Sequence, residues 1–329
     1  MDVDALLDPE VRAALSGAPS FALTDELLPR VRAARAAEWD LVPLSDAVTR
    51  TEVRVPGRDG DPEVVLRVHR PKDAVGVLPC VYWMHGGGLV VGGARQDDQR
   101  FDRWCTRHGI VGVSVEYRLA PETRYPGPLD DCYAGLHWIH AHADELSIDP
   151  GCIGIGGSSA GGGLAAALAL VARDRAEVPV AFQLLIYPII DDRRTTPSSG
   201  WEVPIWPPAS NAFGWNAYLG GLRGTDVPAY AAPARATDLR GLPAALVIVG
   251  TLDGFVDEDI DYAQRLNQAG VAVELHVYPG VPHGFEVFAP DTAVARRARR
   301  DTNDWLGRML ATSASASRIR LGGFKSPSG

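Results

Sequence analysis

Ser159 lies in the pentapeptide 157–161, Gly-Ser-Ser-Ala-Gly, which has the form Gly-x-Ser-x-Gly. Residues 151–157 before it predict a short buried strand, and residues 162–172 after it, almost all Ala, Leu, Val and Gly, predict a buried helix. A serine at such a turn projects its hydroxyl outward, and its small neighbours permit the strained backbone. The N-terminus of the helix directs its free N–H groups at the same place. This context favours a nucleophile over the alternative, an ordinary tight turn.

A glycine-rich loop follows the apolar strand predicted at Cys80–Met84, and it reads His85-Gly86-Gly87-Gly88. Three consecutive glycines are costly to order, so the alternative is a flexible turn. A His-Gly-Gly-Gly loop upstream of a serine turn supplies the second half of an oxyanion hole in lipases and esterases. We therefore predict that this backbone approaches a ligand and offers it N–H groups.

An acid and a histidine follow in the order that Ser-acid-His enzymes of this kind use. Asp253 follows the predicted strand Ala245–Gly250, and His283 lies in the loop after the predicted strand Val271–Val277. Both therefore lie at carboxyl ends of strands, where sites form in open α/β sheets. Nearby acids instead open a predicted helix, where they cap N–H groups and complement its dipole: Asp257, Glu258, Asp259 and Asp261.

Together these motifs resemble the bacterial hormone-sensitive-lipase-like (family IV) carboxylesterases of the α/β-hydrolase fold. The matching segments keep the family's order and spacing, and they are His85–Gly88, Tyr117–Glu122 (Tyr-Arg-Leu-Ala-Pro-Glu), Gly156–Gly162, Tyr187-Pro188, Asp253 with Asp257-Glu258, and His283–Phe285.

The resemblance implies roles for individual residues. The catalytic residues would be Ser159 as nucleophile, His283 as base and Asp253 as acid. The oxyanion hole would consist of backbone N–H groups: those of Gly87, Gly88 and Ala160, in a loop shaped by Gly86. One residue departs from the family, which usually has aspartate where this chain has Ser158. This chemistry requires no cofactor and no metal, and none is expected.

The order of predicted strands and helices indicates a mainly parallel central sheet covered by helices on both faces. The resemblance implies in addition a helical cap, formed by the N-terminal helices and an insertion. We divide the chain into an N-terminal helical cap segment (1–48), a first core part (49–190), a cap insertion (191–225), a second core part (226–311) and a flexible tail (312–329).

The insertion is rich in aromatic residues and prolines, which suit a lid over an apolar pocket; the alternative is that they simply pack on the core. The residues predicted to line the pocket are Trp206, Phe213, Trp215, Leu89 and Tyr187.

The formal net charge of −9 argues against nucleic acid and anionic membranes as partners. No secretory signal and no membrane-spanning stretch is visible, and the four cysteines are widely spaced, so we expect a cytoplasmic protein with free thiols. The expected partner is a small-molecule ester; a homodimer is left open.

Two other functions fit parts of the sequence. A dinucleotide fingerprint beginning at Gly154 fails because Ser159 stands where its third glycine belongs. A non-catalytic binding protein on a hydrolase scaffold typically lacks a catalytic residue, and this chain has all three. We therefore predict a serine carboxylesterase that cleaves short- to medium-chain esters through an acyl-enzyme; an amide, carbamate or lactone hydrolase would use the same residues.

Overall fold

The computed structural model describes residues 3–17 and 22–322, with side chains described to residue 313. Within this part of the chain, strands form one sheet: β1 (Val48–Val55), β2 (Val64–Pro71), β3 (Leu78–Met84), β4 (Val111–Glu116), β5 (Ile148–Ser158), β6 (Phe182–Ile186), β7 (Ala244–Gly250) and β8 (Val273–Tyr278). Their order is β1-β2-β4-β3-β5-β6-β7-β8. Strand β2 is antiparallel to β1 and β4, and the remaining pairs are parallel. The predicted α/β-hydrolase fold, with a mainly parallel sheet, is confirmed.

Helices lie between the strands and at the chain ends. They are α1 (Val3–Leu6), α2 (Pro9–Leu15), α3 (Leu28–Asp40), α4 (Asp98–His108), α5 (Gly127–Ala141), α6 (Ala143–Leu146), α7 (Ala160–Arg175), α8 (Pro208–Leu219), α9 (Val256–Gln268), α10 (Phe285–Phe288) and α11 (Ala293–Gly322).

The two faces of the sheet have separate hydrophobic cores. Alternate side chains of β3 show this directly, because Tyr82 belongs to one core and Val81 and Trp83 to the other. The first core includes apolar residues of α5 and α7, and the second includes residues of α4 and α11. The central strands are therefore buried on both faces, which holds their carboxyl ends in fixed relative positions.

Two elements of the structure were not predicted from the sequence. Strand β1 was not predicted, because five of its eight residues (Val-Thr-Arg-Thr-Glu-Val-Arg-Val) are charged or hydroxylated, as fits an edge strand with one exposed face. Helix α11 continues through residues 312–322, where a flexible tail was expected; residues 323–329 lie outside the described part.

Other sequence predictions concern thiols and membranes. The four cysteines are free, as predicted, and all four are buried. Among the described residues, no helix has the length and apolar character needed to cross a membrane.

Candidate active site

Ser159 forms the turn between β5 and α7, with φ 58° and ψ −123°. Its N–H donates to Ile186 O at 2.8 Å, which ties the turn to the end of β6. A Cβ placed on Gly161 would lie 2.0 Å from Met84 O, and one on Gly157 would lie 2.2 Å from Gly161 backbone. The glycines of the pentapeptide are therefore required because the backbones touch, and this packing holds the serine in a sparsely populated conformation.

His283 joins the serine to an acid. Its Nε2 lies 2.8 Å from Ser159 Oγ, and its Nδ1 lies 2.8 Å from Asp253 Oδ2. Asp253 is fully buried, and its other oxygen, Oδ1, accepts the Phe255 N–H at 3.1 Å. The carboxylate is therefore held from both sides, and the structure brings the three sequence-predicted side chains into one hydrogen-bonded series.

Two aromatic rings hold the imidazole of His283 edge-on. The Tyr187 ring, which follows β6, lies 4.7 Å from it, and the Phe255 ring lies 5.0 Å from it on another side. Tyr187 was a predicted pocket residue, whereas Phe255 was missed. Its position two residues after Asp253 places it near the acid, but nothing in the sequence indicates that its ring contacts His283.

The glycine-rich loop after β3 lies beside the serine turn. A Cβ on Gly86 would be 3.4 Å from Ser159 Cβ and 3.3 Å from Ser158 Oγ. Gly87 and Gly88 have φ of 126° and 61°, a region that favours glycine. The Gly87 carbonyl accepts N–H groups of the next turn, while the amide groups of Gly87 and Gly88 donate no hydrogen bond within the part of the chain that the structure describes.

His85 has a supporting position in this loop. Its ring stacks on that of Tyr117 with centroids 4.0 Å apart, and its Nδ1 donates to Gly86 O at 2.8 Å. The Tyr117 hydroxyl donates in turn to the His85 carbonyl at 2.7 Å. Burial lowers the pKa of His85 to about 4, so the ring is neutral at physiological pH and carries no charge into the loop.

Trp206, in the segment predicted to be a cap insertion (191–225), reaches the glycine-rich loop. A Cβ on Gly88 would lie 2.2 Å from Trp206 Cη2, so the indole lies directly on that glycine. A cavity of about 10 Å³ lies between this indole, Trp201 and the Phe255 ring. Room for about one water remains there, beside the turn that carries Asp253.

The other predicted pocket residues lie in the hydrophobic core. Trp215 is buried in α8 beside Tyr218, with ring centroids 6.2 Å apart. Leu89 is buried in the same core, with φ 68° in the turn after the glycines, and Phe213 is half-buried against it. Of the three predicted pocket aromatics in residues 191–225, Trp206 is the one whose ring lies against Gly88 of the glycine-rich loop.

Three of the acids that follow Asp253 lie in the first turn of α9, as predicted, but their side chains do not make the predicted contacts. Asp257 Oδ2 accepts the Ser198 N–H at 2.8 Å, so it joins α9 to the insertion rather than capping its own helix. Glu258 and Asp259 are buried instead of complementing the helix dipole. Burial raises the pKa of both well above the ordinary range, which favours their uncharged forms.

The fold and this arrangement define a class of protein. A family model described as the alpha/beta hydrolase fold matches residues 81–287, and the chain belongs to that family.

The chain is similar to named esterases over most of its length. Carboxylesterase NlhH of Mycobacterium tuberculosis is 36% identical over 291 residues, 86% of this chain and 90% of that protein. Ethyl acetate hydrolase of Pseudomonas putida is 32% identical over 238 residues, 69% of this chain and 73% of that protein. The solved structure of a bacterial heroin esterase has a TM-score of 0.89 at 45% identity, covering 93% of this chain and 98% of that one. The predicted family and the predicted class, a carboxylic ester hydrolase, are confirmed.

Proposed function

We propose that this protein is a serine carboxylesterase that hydrolyses short- to medium-chain carboxylic esters through an acyl-enzyme. The observation that carries the proposal is the buried series from Asp253 through His283 to the Ser159 hydroxyl, with 2.8 Å at each link. Such a series supplies a nucleophile, a base and a group that orients the base.

In the first half-reaction, His283 Nε2 takes the proton of Ser159 Oγ as that oxygen attacks the ester carbonyl carbon. Asp253 Oδ2 accepts the Nδ1–H, which selects the tautomer with Nε2 free to act as base and stabilises the imidazolium that forms. The protonated His283 then donates its proton to the departing alcohol. A water molecule repeats the sequence and releases the acid.

The negative oxygen of each tetrahedral intermediate needs donors. The Gly87 and Gly88 amides donate to no acceptor among the described residues. Ala160 is the first residue of α7, so its N–H has no partner within that helix. We infer that these N–H groups bind the oxyanion, in a loop whose close approach depends on Gly86.

The acyl-chain preference follows from the cap. We propose that the N-terminal segment and the insertion together form this cap, because the Leu23 N–H donates to Ser210 Oγ at 3.1 Å and so joins the two. Trp206 then limits the space beside Gly88. The similarity to an ethyl acetate hydrolase also supports a small ester substrate.

Two measurements test this function. A fluorophosphonate probe should attach to Ser159, as shown by mass spectrometry, and p-nitrophenyl esters should be cleaved with kcat/KM higher for butyrate than for palmitate. Absence of labelling on the folded protein would indicate a binding protein instead. Faster cleavage of matched anilides than of esters would indicate an amidase.

A further inference from the structure

We propose that Arg32, in the N-terminal helix α3, is a positioning residue for the oxyanion hole. It holds the backbone turn that follows the glycine-rich loop, and through that turn it sets the direction of the Gly88 N–H. This inference rests on the proposed function, because it assigns a role in binding the oxyanion.

The Arg32 guanidinium bridges two segments of the core. Its Nε donates to Val90 O at 2.7 Å, and its Nη2 donates to Ala120 O at 2.8 Å. The same group forms a two-point ion pair with Glu122, at 2.7 and 2.9 Å. One side chain therefore ties the turn after the glycines to the loop after β4.

The ion pair with Glu122 does not by itself explain why Arg32 is held in this position. The Glu122 side chain is 63% exposed and that of Arg32 is 28% exposed, and exposed pairs contribute little to stability. A planar guanidinium, however, directs several N–H groups at fixed angles. Arg32 therefore fixes the backbone through its hydrogen bonds to the carbonyl groups of Val90 and Ala120.

Val90 connects this contact to the oxyanion hole. Its N–H donates to Gly87 O at 3.1 Å, and the Val91 N–H donates to the same oxygen at 2.9 Å. Because a trans peptide is planar, the Gly88 N–H points opposite to the Gly87 carbonyl. Whatever fixes Val90 therefore fixes the direction of the Gly88 N–H.

Glycine makes such support necessary. Gly87 and Gly88 have no side chains to restrict rotation of the peptide between them. The opposite side of the turn is held as well, because the Ala120 N–H donates to Leu89 O at 3.0 Å. Arg32 binds the carbonyl groups of both Val90 and Ala120. It therefore connects the two backbone segments that hold the peptide between Gly87 and Gly88.

Helix α3 also touches this segment at its other end. Arg95 Nη2 donates to Asp40 Oδ1 at 2.6 Å, and a Cβ on Gly93 would meet the Trp39 ring at 3.0 Å. Arg95 thus provides a matched control: its ion pair joins the same helix to the same stretch of chain, through a carboxylate instead of the turn's carbonyls.

The test compares Arg32→Met with wild type. Losing one oxyanion donor costs about 10²- to 10³-fold in kcat, and a misdirected donor costs less, so we expect kcat to fall about 10-fold. KM should stay within about two-fold, since the contact matters in the transition state. The affinity for an alkyl trifluoromethyl ketone, whose adduct with Ser159 carries an oxyanion, should fall by the same factor as kcat.

Arg95→Met should leave kcat and inhibitor affinity within about two-fold of wild type, since it spares the carbonyl contacts. Arg32→Lys can reach one carbonyl but not both, so we expect values between wild type and Arg32→Met. If Arg32→Met does not fold in a urea titration, Arg32→Lys carries the test, with about a three-fold loss of both kcat and inhibitor affinity expected.

The inference is overturned if the folded Arg32 variants keep wild-type kcat and inhibitor affinity, or if Arg95→Met loses as much as Arg32→Met. It is also overturned if kcat falls while inhibitor affinity does not. These outcomes require an active wild type, whereas wild-type protein that neither cleaves esters nor reacts with fluorophosphonate would refute the proposed function itself.

Discussion

At the scale of single residues, loss of the Ser159 hydroxyl should abolish activity without preventing folding. Ser159→Ala removes one oxygen from a side chain that is 8% exposed, so the turn held by backbone contacts should persist. Ester hydrolysis should fall by about 10³-fold or more, because only the oxyanion donors and substrate binding remain. The measurement is initial rate with p-nitrophenyl butyrate beside a thermal unfolding curve.

A buried serine elsewhere gives the matched control. Ser114 lies in β4 and is fully buried, so Ser114→Ala makes the same atomic change within the sheet. It should leave the rate within about two-fold, since its hydroxyl forms no hydrogen bond with any of the proposed catalytic side chains. Near-normal activity in folded Ser159→Ala would contradict the mechanism.

The acid can be distinguished from its neighbour in the same way. Asp253→Asn should lower kcat by roughly 10⁴-fold, the loss that the equivalent substitution causes in serine proteases, because an amide no longer selects the working tautomer of His283. Asp257→Asn should cost about 1 kcal/mol of stability or less and little rate, because its carboxylate serves the Ser198 N–H. The test is to measure kcat and the urea midpoint of both variants. If Asp257→Asn loses activity and Asp253→Asn does not, the catalytic acid is Asp257.

At this scale the sequence carried most of the information. Ser159 follows β5 directly, Asp253 lies in the turn after β7, and His283 lies in the loop after β8. These turns and loops are visible in the sequence as a change to small or polar residues. Phe255 and the Trp206 contact with Gly88 were not accessible in this way. They depend on which rings meet across the fold, and residue spacing along one segment does not determine that.

At the scale of elements, Trp206 should decide how long an acyl chain fits. Trp206→Ala removes the indole that covers Gly88, next to a cavity of about 10 Å³. Each methylene that gains a buried position contributes about 0.8 kcal/mol, close to a four-fold effect. The ratio of kcat/KM for p-nitrophenyl octanoate to that for butyrate should therefore rise in Trp206→Ala.

Trp138→Ala is the control for that experiment. Trp138 is a half-buried indole of α5, stacked on His142 with centroids 4.3 Å apart. Its removal should change stability without changing the octanoate-to-butyrate ratio. An unchanged ratio in Trp206→Ala would show that another surface ends the acyl pocket.

Strands and helices were harder to predict where tertiary packing, and not the local sequence pattern, determines their conformation and burial. Strand β1 pairs with β2 through Val48 to Val55, although only its two end residues are fully buried. Glu258 and Asp259 looked like the solvated start of a helix, because acids favour that position. The structure buries that face of α9 against the loop after β6, where Glu258 accepts the Ile190 and Asp191 N–H groups at 3.1 and 3.2 Å.

At the scale of the whole molecule, the buried Asp259 should make stability depend on pH. Its carboxyl oxygens have no hydrogen-bond partner among the described residues, and burial, with Glu258 and Asp253 nearby, raises its pKa. Above the usual aspartate value of about 3.9, the unfolded chain releases a proton that the folded chain keeps. The free energy of unfolding therefore falls as pH rises, by about 1.4 kcal/mol per unit, until the folded pKa is reached.

Asp259→Asn tests this by removing the titration. Urea midpoints measured from pH 5 to pH 9 should fall less steeply in the variant than in wild type; Glu258 leaves a residual slope in both. The slopes are compared rather than the absolute stabilities, because the amide brings buried donors of its own. Parallel curves would show that Asp259 ionises equally well in both states.

The three proposed catalytic side chains are distant along the chain: 124 residues separate Ser159 from His283, and 30 separate Asp253 from His283. The histidine follows β8, an edge strand of the sheet and the last strand within the described residues. During synthesis, a chain to which β8 has not yet been added therefore carries Ser159 without the proposed base. A truncated product ending before β8 should be unable to hydrolyse esters.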